Sequence, residues 1–168
     1  MPPEPAKAKA RSSSLRSAAL WIAAAGGAAA IGWGIYWGQK DDGPAANPEN
    51  AAQVAQGREV YASQCASCHG ARLGGQPNWR QRRPNGRLPA PPHDQTGHTW
   101  HHPDDQLFAM TKLGTAAFAG PGYRSDMPAY AGRLSDSDIW AVLAFIKSRW
   151  PDSIRERQAA ISRRARQR

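Results

Sequence analysis

Three stretches of the chain carry apolar residues at helical spacing, and none alternates as a strand would. The first covers residues 50–63, NAAQVAQGREVYAS. Val54, Gly57 and Tyr61 fall on one stripe of this segment because they are spaced about one helical turn apart. The pattern therefore predicts a helix with one buried face.

A second, shorter helix is predicted within HPDDQLFAMTKLG. Pro103 and two acidic residues suit its first turn, and Gly114 suits its end. Its apolar side chains are Leu107, Phe108 and Met110.

The third helix is predicted in LSDSDIWAVLAFIKSRWP. Ser135 is a suitable N-cap, Asp138 follows three residues later, and Pro151 ends the helix. Its apolar residues at helical spacing are Ile139, Val142, Leu143 and Ile146. The three segments are thus each predicted to be a helix.

A different pattern occupies residues 18–37, AALWIAAAGGAAAIGWGIYW, which contain no charge. At about 1.5 Å per residue, this length spans roughly the 30 Å hydrocarbon core of a bilayer. Four basic residues precede it, so the positive-inside rule places the N-terminus in the cytoplasm. The alternative is a cleaved signal peptide, but the run is long for one. We expect a single-pass anchor in a bacterial inner membrane, with the following domain in the periplasm.

Charge is concentrated at the two ends of the chain. The net charge is +9, but residues 48–152 carry eleven basic and nine acidic side chains, which leaves that region nearly neutral. A nucleic-acid-binding domain would need a basic face on its folded part. Residues 153–168 carry six arginines and one glutamate with no core pattern. They predict a solvated tail, with docking on anionic lipid or an acidic partner as the alternative.

The predicted order is therefore a basic cytoplasmic N-terminus at 1–17, a transmembrane anchor at 18–37, a flexible tether at 38–49, a helical domain at 50–152 and a basic tail at 153–168. The tether is predicted from its Pro, Gly, Asn and Asp content.

The only two cysteines of the chain, Cys65 and Cys68, are three residues apart and His69 follows directly. This spacing allows a redox dithiol, part of a zinc site, or covalent attachment of haem. Zinc needs four ligands and no third cysteine exists, although other histidines could supply some. A redox dithiol normally follows a strand, and none is predicted upstream. Haem attachment is the leading interpretation, with both sulfurs bound to the porphyrin and the imidazole directed at the iron.

The wider pattern resembles the class I c-type cytochromes. It comprises Gly57, Tyr61, the CxxCH motif with Gly70, then Met127-Pro128, then an amphipathic last helix with aromatic residues. The resemblance covers about residues 50–150. It implies an all-α domain wrapped around one covalent haem c, with His69 and Met127 as the axial ligands of the iron. It also implies that Gly57 lets an aromatic residue of the last helix, Trp140 or Phe145, approach closely.

A long insertion between His69 and the middle helix departs from a minimal member of that family. It leaves open whether Pro77 or the 89–92 run accepts a hydrogen bond from the His69 ring. Trp100 and Arg87 are candidates for contacts with the haem propionates. The other four histidines of the chain lie here too: His93, His98, His101 and His102. The last three could bind a second metal such as copper, but a haem-edge role is favoured because His-rich tracts are only a compositional indication of metal.

The expected function is the transfer of single electrons between respiratory or periplasmic redox partners, without catalysis at the haem, because protein ligands would fill both axial positions. Two alternatives stay open. One is a fixed subunit of a dehydrogenase or terminal oxidase complex, which the small residues Ala30, Gly34 and Gly38 on one face of the anchor would favour. The other is a haem sensor or copper-handling protein.

Overall fold

The computed structural model describes residues 45–168. The predicted N-terminus, the predicted anchor at 18–37 and the first part of the predicted tether lie outside the described residues. Within residues 45–168, no helix combines the length and apolar character needed to cross a membrane. This part of the chain contains five α-helices and no strand.

Helix α1, Ala51–Val60, begins at Asn50, whose side chain accepts a hydrogen bond of 3.1 Å from the backbone N–H of Gln53. The chain continues without a break through a π-helical turn, Tyr61–Cys65, into the short helix α2, Ala66–His69. The helix predicted over residues 50–63 is confirmed, and the helical run extends to the histidine of the CxxCH motif. Single π-helical turns of this kind often occur at functional sites.

Helix α3, Asp104–Leu113, confirms the short middle helix. Two acidic residues occupy its first turn, where they complement the helix dipole. Gly114 follows its end with φ 82°, a left-handed conformation that glycine adopts without strain. Leu107 is the buried apolar residue of this helix.

Helix α4, Asp136–Ser148, is the most buried element of the described chain. The predicted capping box is present, because the Ser135 side chain accepts from the backbone of Asp138 while Asp138 accepts from the backbone of Ser135. The helix ends shortly before Pro151, as predicted. Helix α4 supplies apolar residues to both hydrophobic clusters of the domain, so it is covered on more than one side.

Helices α1 and α4 cross in direct contact at Gly57. A Cβ atom at this position would lie 1.9 Å from the carbonyl oxygen of Ala141 and 2.9 Å from the Cβ of Phe145. Of the two aromatic residues expected here, Phe145 is therefore the one beside Gly57. Trp140 instead stacks on Phe108 of α3, with ring centroids 4.5 Å apart.

The last part of the predicted tether belongs to the domain. Ala46 is only 3% exposed and joins a core cluster with residues of α3 and α4. The carbonyl oxygen of Ala45 accepts a hydrogen bond of 3.0 Å from the Gln53 side chain. The tether prediction is thus wrong from residue 45 onward, because small residues such as alanine leave no periodic signal of burial.

The prediction of a solvated tail at residues 153–168 is also wrong. Helix α5 covers Asp152–Ala165, and its Gln158 and Ser162 are buried. The Ser162 hydroxyl accepts a hydrogen bond of 3.0 Å from the backbone N–H of Asp104 at the start of α3. The contact face of α5 is polar at its centre, so a search for apolar periodicity could not detect it.

Candidate functional site

The two cysteines and the following histidine lie at the end of the N-terminal helical run. Cys65 ends the π-helical turn and is partly buried, while Cys68 is exposed on α2. Neither forms a disulfide. Burial, and secondarily the neighbouring Cys68, raise the pKa of the Cys65 thiol to about 11. Two unpaired sulfurs are thus presented three residues apart on a fixed helical scaffold.

His69 is buried and its orientation is fixed by the insertion. Its Nδ1 donates a hydrogen bond of 2.8 Å to the carbonyl oxygen of Pro91. Of the alternatives left open by the sequence, the acceptor is thus in the 89–92 run. Burial lowers the pKa of His69, while the bond to Pro91 acts in the opposite direction. The ring is therefore favoured in its neutral form with Nε2 free, which is the state of a metal-ligating imidazole.

His93 lies directly against His69, a relationship that the sequence did not reveal. The two rings stack with centroids 4.0 Å apart and planes 25° from parallel. Burial lowers the pKa of His93 well below its ordinary value, and the neighbouring His69 contributes in the same direction. His93 is separated from His69 by 24 positions, so only the closure of the insertion brings the rings together.

The turn after His69 is tied to the N-terminal helical run. The Tyr61 hydroxyl donates a hydrogen bond of 2.9 Å to the carbonyl oxygen of Gly70. The backbone N–H of Gly75 donates to the carbonyl oxygen of His69 at 2.8 Å. Desolvation, followed by the neighbouring Cys65, raises the pKa of Tyr61, so its hydroxyl stays protonated as a donor. These bonds fix the backbone on both sides of the histidine.

Met127 is presented from an irregular loop, as its context predicted. Its backbone N–H donates to the Ser125 hydroxyl at 3.0 Å, and Ser125 in turn bonds to the hydroxyl of Thr115 at 2.8 Å. Further along the same loop, the Tyr130 hydroxyl donates to the carbonyl oxygen of Gln64 at 2.8 Å. The methionine loop is thereby joined to the turn that carries Cys65. Met110, the alternative methionine, lies within α3.

The residues present fit a covalent haem. The two thiols are unpaired, and the His69 ring is held by Nδ1 so that Nε2 is left for a metal. Among the described residues, the exposed large hydrophobic side chains are Leu113, the last residue of α3, and Phe118, which lies between α3 and the methionine loop. An apolar porphyrin is the kind of group that such side chains would cover.

A family model for cytochrome c matches residues 54–150, which is more than half of the chain. The chain belongs to the cytochrome c family. Members of this family carry covalent haem c, and Cys65 and Cys68 have the CxxCH spacing that the attachment requires. The cytochrome is thus a haem protein of the electron-carrier type. No solved structure matches the chain.

The two proposed propionate contacts have other partners in the cytochrome. The Trp100 indole N–H donates to the carbonyl oxygen of Gln95 at 3.3 Å, and its ring packs against a core cluster. Arg87 forms an ion pair with Asp126, the residue before Met127. Contact of Trp100 or Arg87 with the haem stays a prediction. The structure does, however, show that Arg87 links the insertion to the methionine loop.

The remaining histidines of the insertion form a group of rings. His98 stacks on His101 with centroids 5.0 Å apart and meets the edge of His102 at 4.8 Å. The His101 ring also stacks on Trp100 at 3.7 Å. Within residues 45–168, no group of three or more His, Cys, Asp or Glu side chains could hold a metal ion. The geometry therefore gives no support to the copper hypothesis.

Proposed function

We propose that this cytochrome is a membrane-tethered carrier of single electrons in which His69 and Met127 are the axial ligands of one haem iron. The observation that carries the proposal is the hydrogen bond from His69 Nδ1 to the carbonyl oxygen of Pro91. A ligating histidine usually donates its second ring N–H in this way, which fixes the tautomer and orients the other nitrogen toward the metal.

Met127 is proposed as the second ligand because it lies in a loop that is joined to the cysteine-bearing turn by the hydrogen bond from the Tyr130 hydroxyl to the carbonyl oxygen of Gln64. Met110 belongs to a regular helix, α3, whose Leu107 and Phe108 pack in a core cluster, so a packing role is the default for it. Ligation by His69 and Met127 leaves no open position for substrate or oxygen, and electron transfer is the function that such a haem supports.

The ligand assignment is tested by comparing Met127→Ala with Met110→Ala as the matched control. The ferric wild-type protein should show the weak near-infrared charge-transfer band of sulfur ligation near neutral pH. We expect the band to be lost in Met127→Ala and kept in Met110→Ala. Met127→His should remain six-coordinate and have a lower reduction potential, because thioether sulfur favours ferrous iron more than imidazole does. Loss of the band in Met110→Ala alone would identify Met110 of α3, and not Met127, as the ligand.

Membrane tethering is proposed from the uncharged run at residues 18–37 and the basic residues before it. It implies a bacterial inner-membrane location with the haem domain in the periplasm, where redox proteins would be donor and acceptor. A form that begins at Gly43 behind a cleavable secretion signal keeps the buried Ala46. It should be soluble with an unchanged haem spectrum, whereas the full chain should partition with membranes. Membrane association of the shortened form would identify another attachment, with the arginines of α5 as the first candidate.

The alternative role, a fixed subunit of a dehydrogenase or terminal oxidase, is favoured by the small residues spaced along the uncharged run. Purification of the full chain in mild detergent distinguishes the two. Stoichiometric co-purifying subunits would indicate a fixed complex, and a haem protein isolated alone would indicate a tethered carrier.

A further inference from the structure

We propose that His93 is a positioning residue for the proximal haem ligand. Its ring fixes the plane of the His69 imidazole and favours the oxidised state of the haem. The inference rests on the proposed role of His69 as an axial ligand.

The first support is the way in which His69 is held from two directions. Its Nδ1 edge is bound by the carbonyl oxygen of Pro91 at 2.8 Å, and one face of the ring is covered by His93 at a centroid distance of 4.0 Å. A single hydrogen bond to a ring edge still permits some rotation of the ring about that contact. The flat, nearly parallel face of His93 removes this freedom, so the two contacts together define the plane of the imidazole.

The second support is the number of contacts that hold His93 itself. Its backbone N–H donates to the carbonyl oxygen of Leu73 at 2.7 Å, and its own carbonyl oxygen accepts from the Trp150 indole at 2.7 Å. Its Nδ1 shares a hydrogen bond of 2.7 Å with the Thr99 hydroxyl. Backbone, ring edge and ring face are all fixed, which a residue that only fills space does not need.

Leu73 shows that the backbone adopts an uncommon conformation to make this arrangement. It has φ 64°, in the left-handed region that residues other than glycine rarely enter, and it is buried. Its carbonyl oxygen accepts from the backbone N–H groups of both His93 and Asp94. The strained residue therefore secures the segment that carries His93 beside the CxxCH turn.

The proposed effect of His93 on the oxidised state follows from the charge on the His69 ring. A ligating imidazole carries more positive charge when the iron is ferric than when it is ferrous, and the face of an aromatic ring attracts a positive charge. The stacked His93 ring therefore stabilises the oxidised state more than an aliphatic side chain of similar size would. A histidine that merely fills the core would have no such effect on the haem.

The test uses the full-chain holoprotein in mild detergent, with His93→Leu and His93→Phe compared with wild type. Two properties are measured, the reduction potential and the paramagnetic proton shifts of the haem methyl groups, which report the orientation of the axial imidazole plane. In His93→Leu the equilibrium constant for reduction should rise by about two- to fivefold, and the methyl shift pattern should change. His93→Phe keeps a ring face and should lie closer to wild type in both properties.

Ile146→Val is the matched control, because it removes volume from the cluster that contains Leu73 and Trp150 without removing a ring from His69. It should leave both properties unchanged. If His93→Leu holds no haem, the same two properties are measured in Thr99→Val and Thr99→Ser, because the Thr99 hydroxyl holds the His93 ring. A changed shift pattern in Thr99→Val that Thr99→Ser does not show supports the inference.

Wild-type properties in every variant that retains haem would overturn the inference and make His93 a core residue. The failure of the proposed function is seen separately in the wild-type protein, which would then lack the low-spin spectrum of an iron ligated by histidine.

Discussion

Lys147 and Asp104 form an ion pair in the interior of the domain, with Lys147 Nζ 2.9 Å from both carboxylate oxygens of Asp104. Each side chain is only 8% exposed. Gln158 of α5 donates a further hydrogen bond of 2.7 Å to the same carboxylate. The pair therefore joins α3, α4 and α5 at one buried point.

Removal of the lysine should leave a buried carboxylate without its counter-charge. We expect Lys147→Met to lower the free energy of unfolding by about 3–5 kcal/mol, measured by denaturant titration of the holoprotein. Lys112→Met is the matched control, because Lys112 pairs with Asp136 at the surface and should cost less than about 1 kcal/mol. Equal losses in the two variants would show that the Asp104 pair is as solvated as the surface pair.

Helix α5 should contribute to stability as a packed element. Deletion of residues 152–168 removes Gln158 and Ser162 from Asp104. It should lower the midpoint of thermal unfolding by several degrees, because each lost kilocalorie per mole lowers the midpoint of a small domain by roughly 2–8 °C, less for a larger domain. Deletion of residues 166–168, which are exposed, is the control and should have little effect. An unchanged midpoint after the longer deletion would contradict the packed helix.

The parts of this structure that sequence patterns predicted are those governed by local chemistry. The ends of α4 followed from Ser135, Asp138 and Pro151, because capping and proline act within a few residues. Helix α5 was missed since its buried face carries Gln158 and Ser162, whose burial depends on Asp104, more than fifty residues away.

The candidate site likewise has features that the local sequence indicates and features that depend on distant contacts. The spacing of Cys65, Cys68 and His69 marks them as candidate residues, and the wider pattern with Gly57, Tyr61 and Met127 favours haem attachment over a dithiol or a zinc site. The choice of Pro91 as the acceptor for His69 and the stacking of His93 depend on how a long insertion closes, and that closure leaves no local signal. Loop closure of this kind is fixed by contacts between distant residues such as Leu73 and His93.

Gly57 should be irreplaceable at the crossing of α1 and α4. In Gly57→Ala the new Cβ would meet the backbone of Ala141, which can move only if the helices separate. Overpacking costs about 1–3 kcal/mol and exceeds the gain of about 1 kcal/mol in helix propensity. We expect lower stability and a lower yield of holoprotein. Gly74→Ala is the control, since nothing lies within 4 Å of the position that its Cβ would take, and equal stability of the two variants would contradict the close crossing.

The capping box of α4 should make stability depend on acid pH. The Ser135 hydroxyl and then the Gln56 side chain lower the pKa of Asp138 from its ordinary value of 3.8. A lowered folded-state pKa stabilises the domain above the ordinary value, and the contribution is lost as the pH falls through the lowered one. Asp138→Asn should therefore be less stable than wild type at pH 7, and the difference should shrink below about pH 4. A stability difference between Asp138→Asn and wild type that does not change with pH would contradict this role of the capping box.

Arg87 should stabilise the methionine loop through Asp126. The Arg87 guanidinium pairs with the Asp126 carboxylate, and Arg83 lies 3.7 Å from its second oxygen. Since Asp126 directly precedes Met127, loss of this anchor should loosen the proposed ligand before it affects the rest of the fold. We expect Asp126→Asn to lower the denaturant concentration at which the near-infrared sulfur band disappears, while the free energy of global unfolding changes by less than about 1 kcal/mol, as for an exposed ion pair.

The effect of Asp126→Asn should depend on salt and should not be seen when a different surface ion pair is removed. The difference between Asp126→Asn and wild type should diminish at high ionic strength, because exposed charges are then screened. Asp152→Asn is the control, since the Asp152 carboxylate also pairs with an arginine, Arg155, but on α5. It should leave the sulfur band as stable as in wild type. If the band is lost at the same denaturant concentration in all three proteins, the insertion does not hold the methionine loop, and the hydrogen bond from Tyr130 to Gln64 would be the remaining connection to the cysteine-bearing turn.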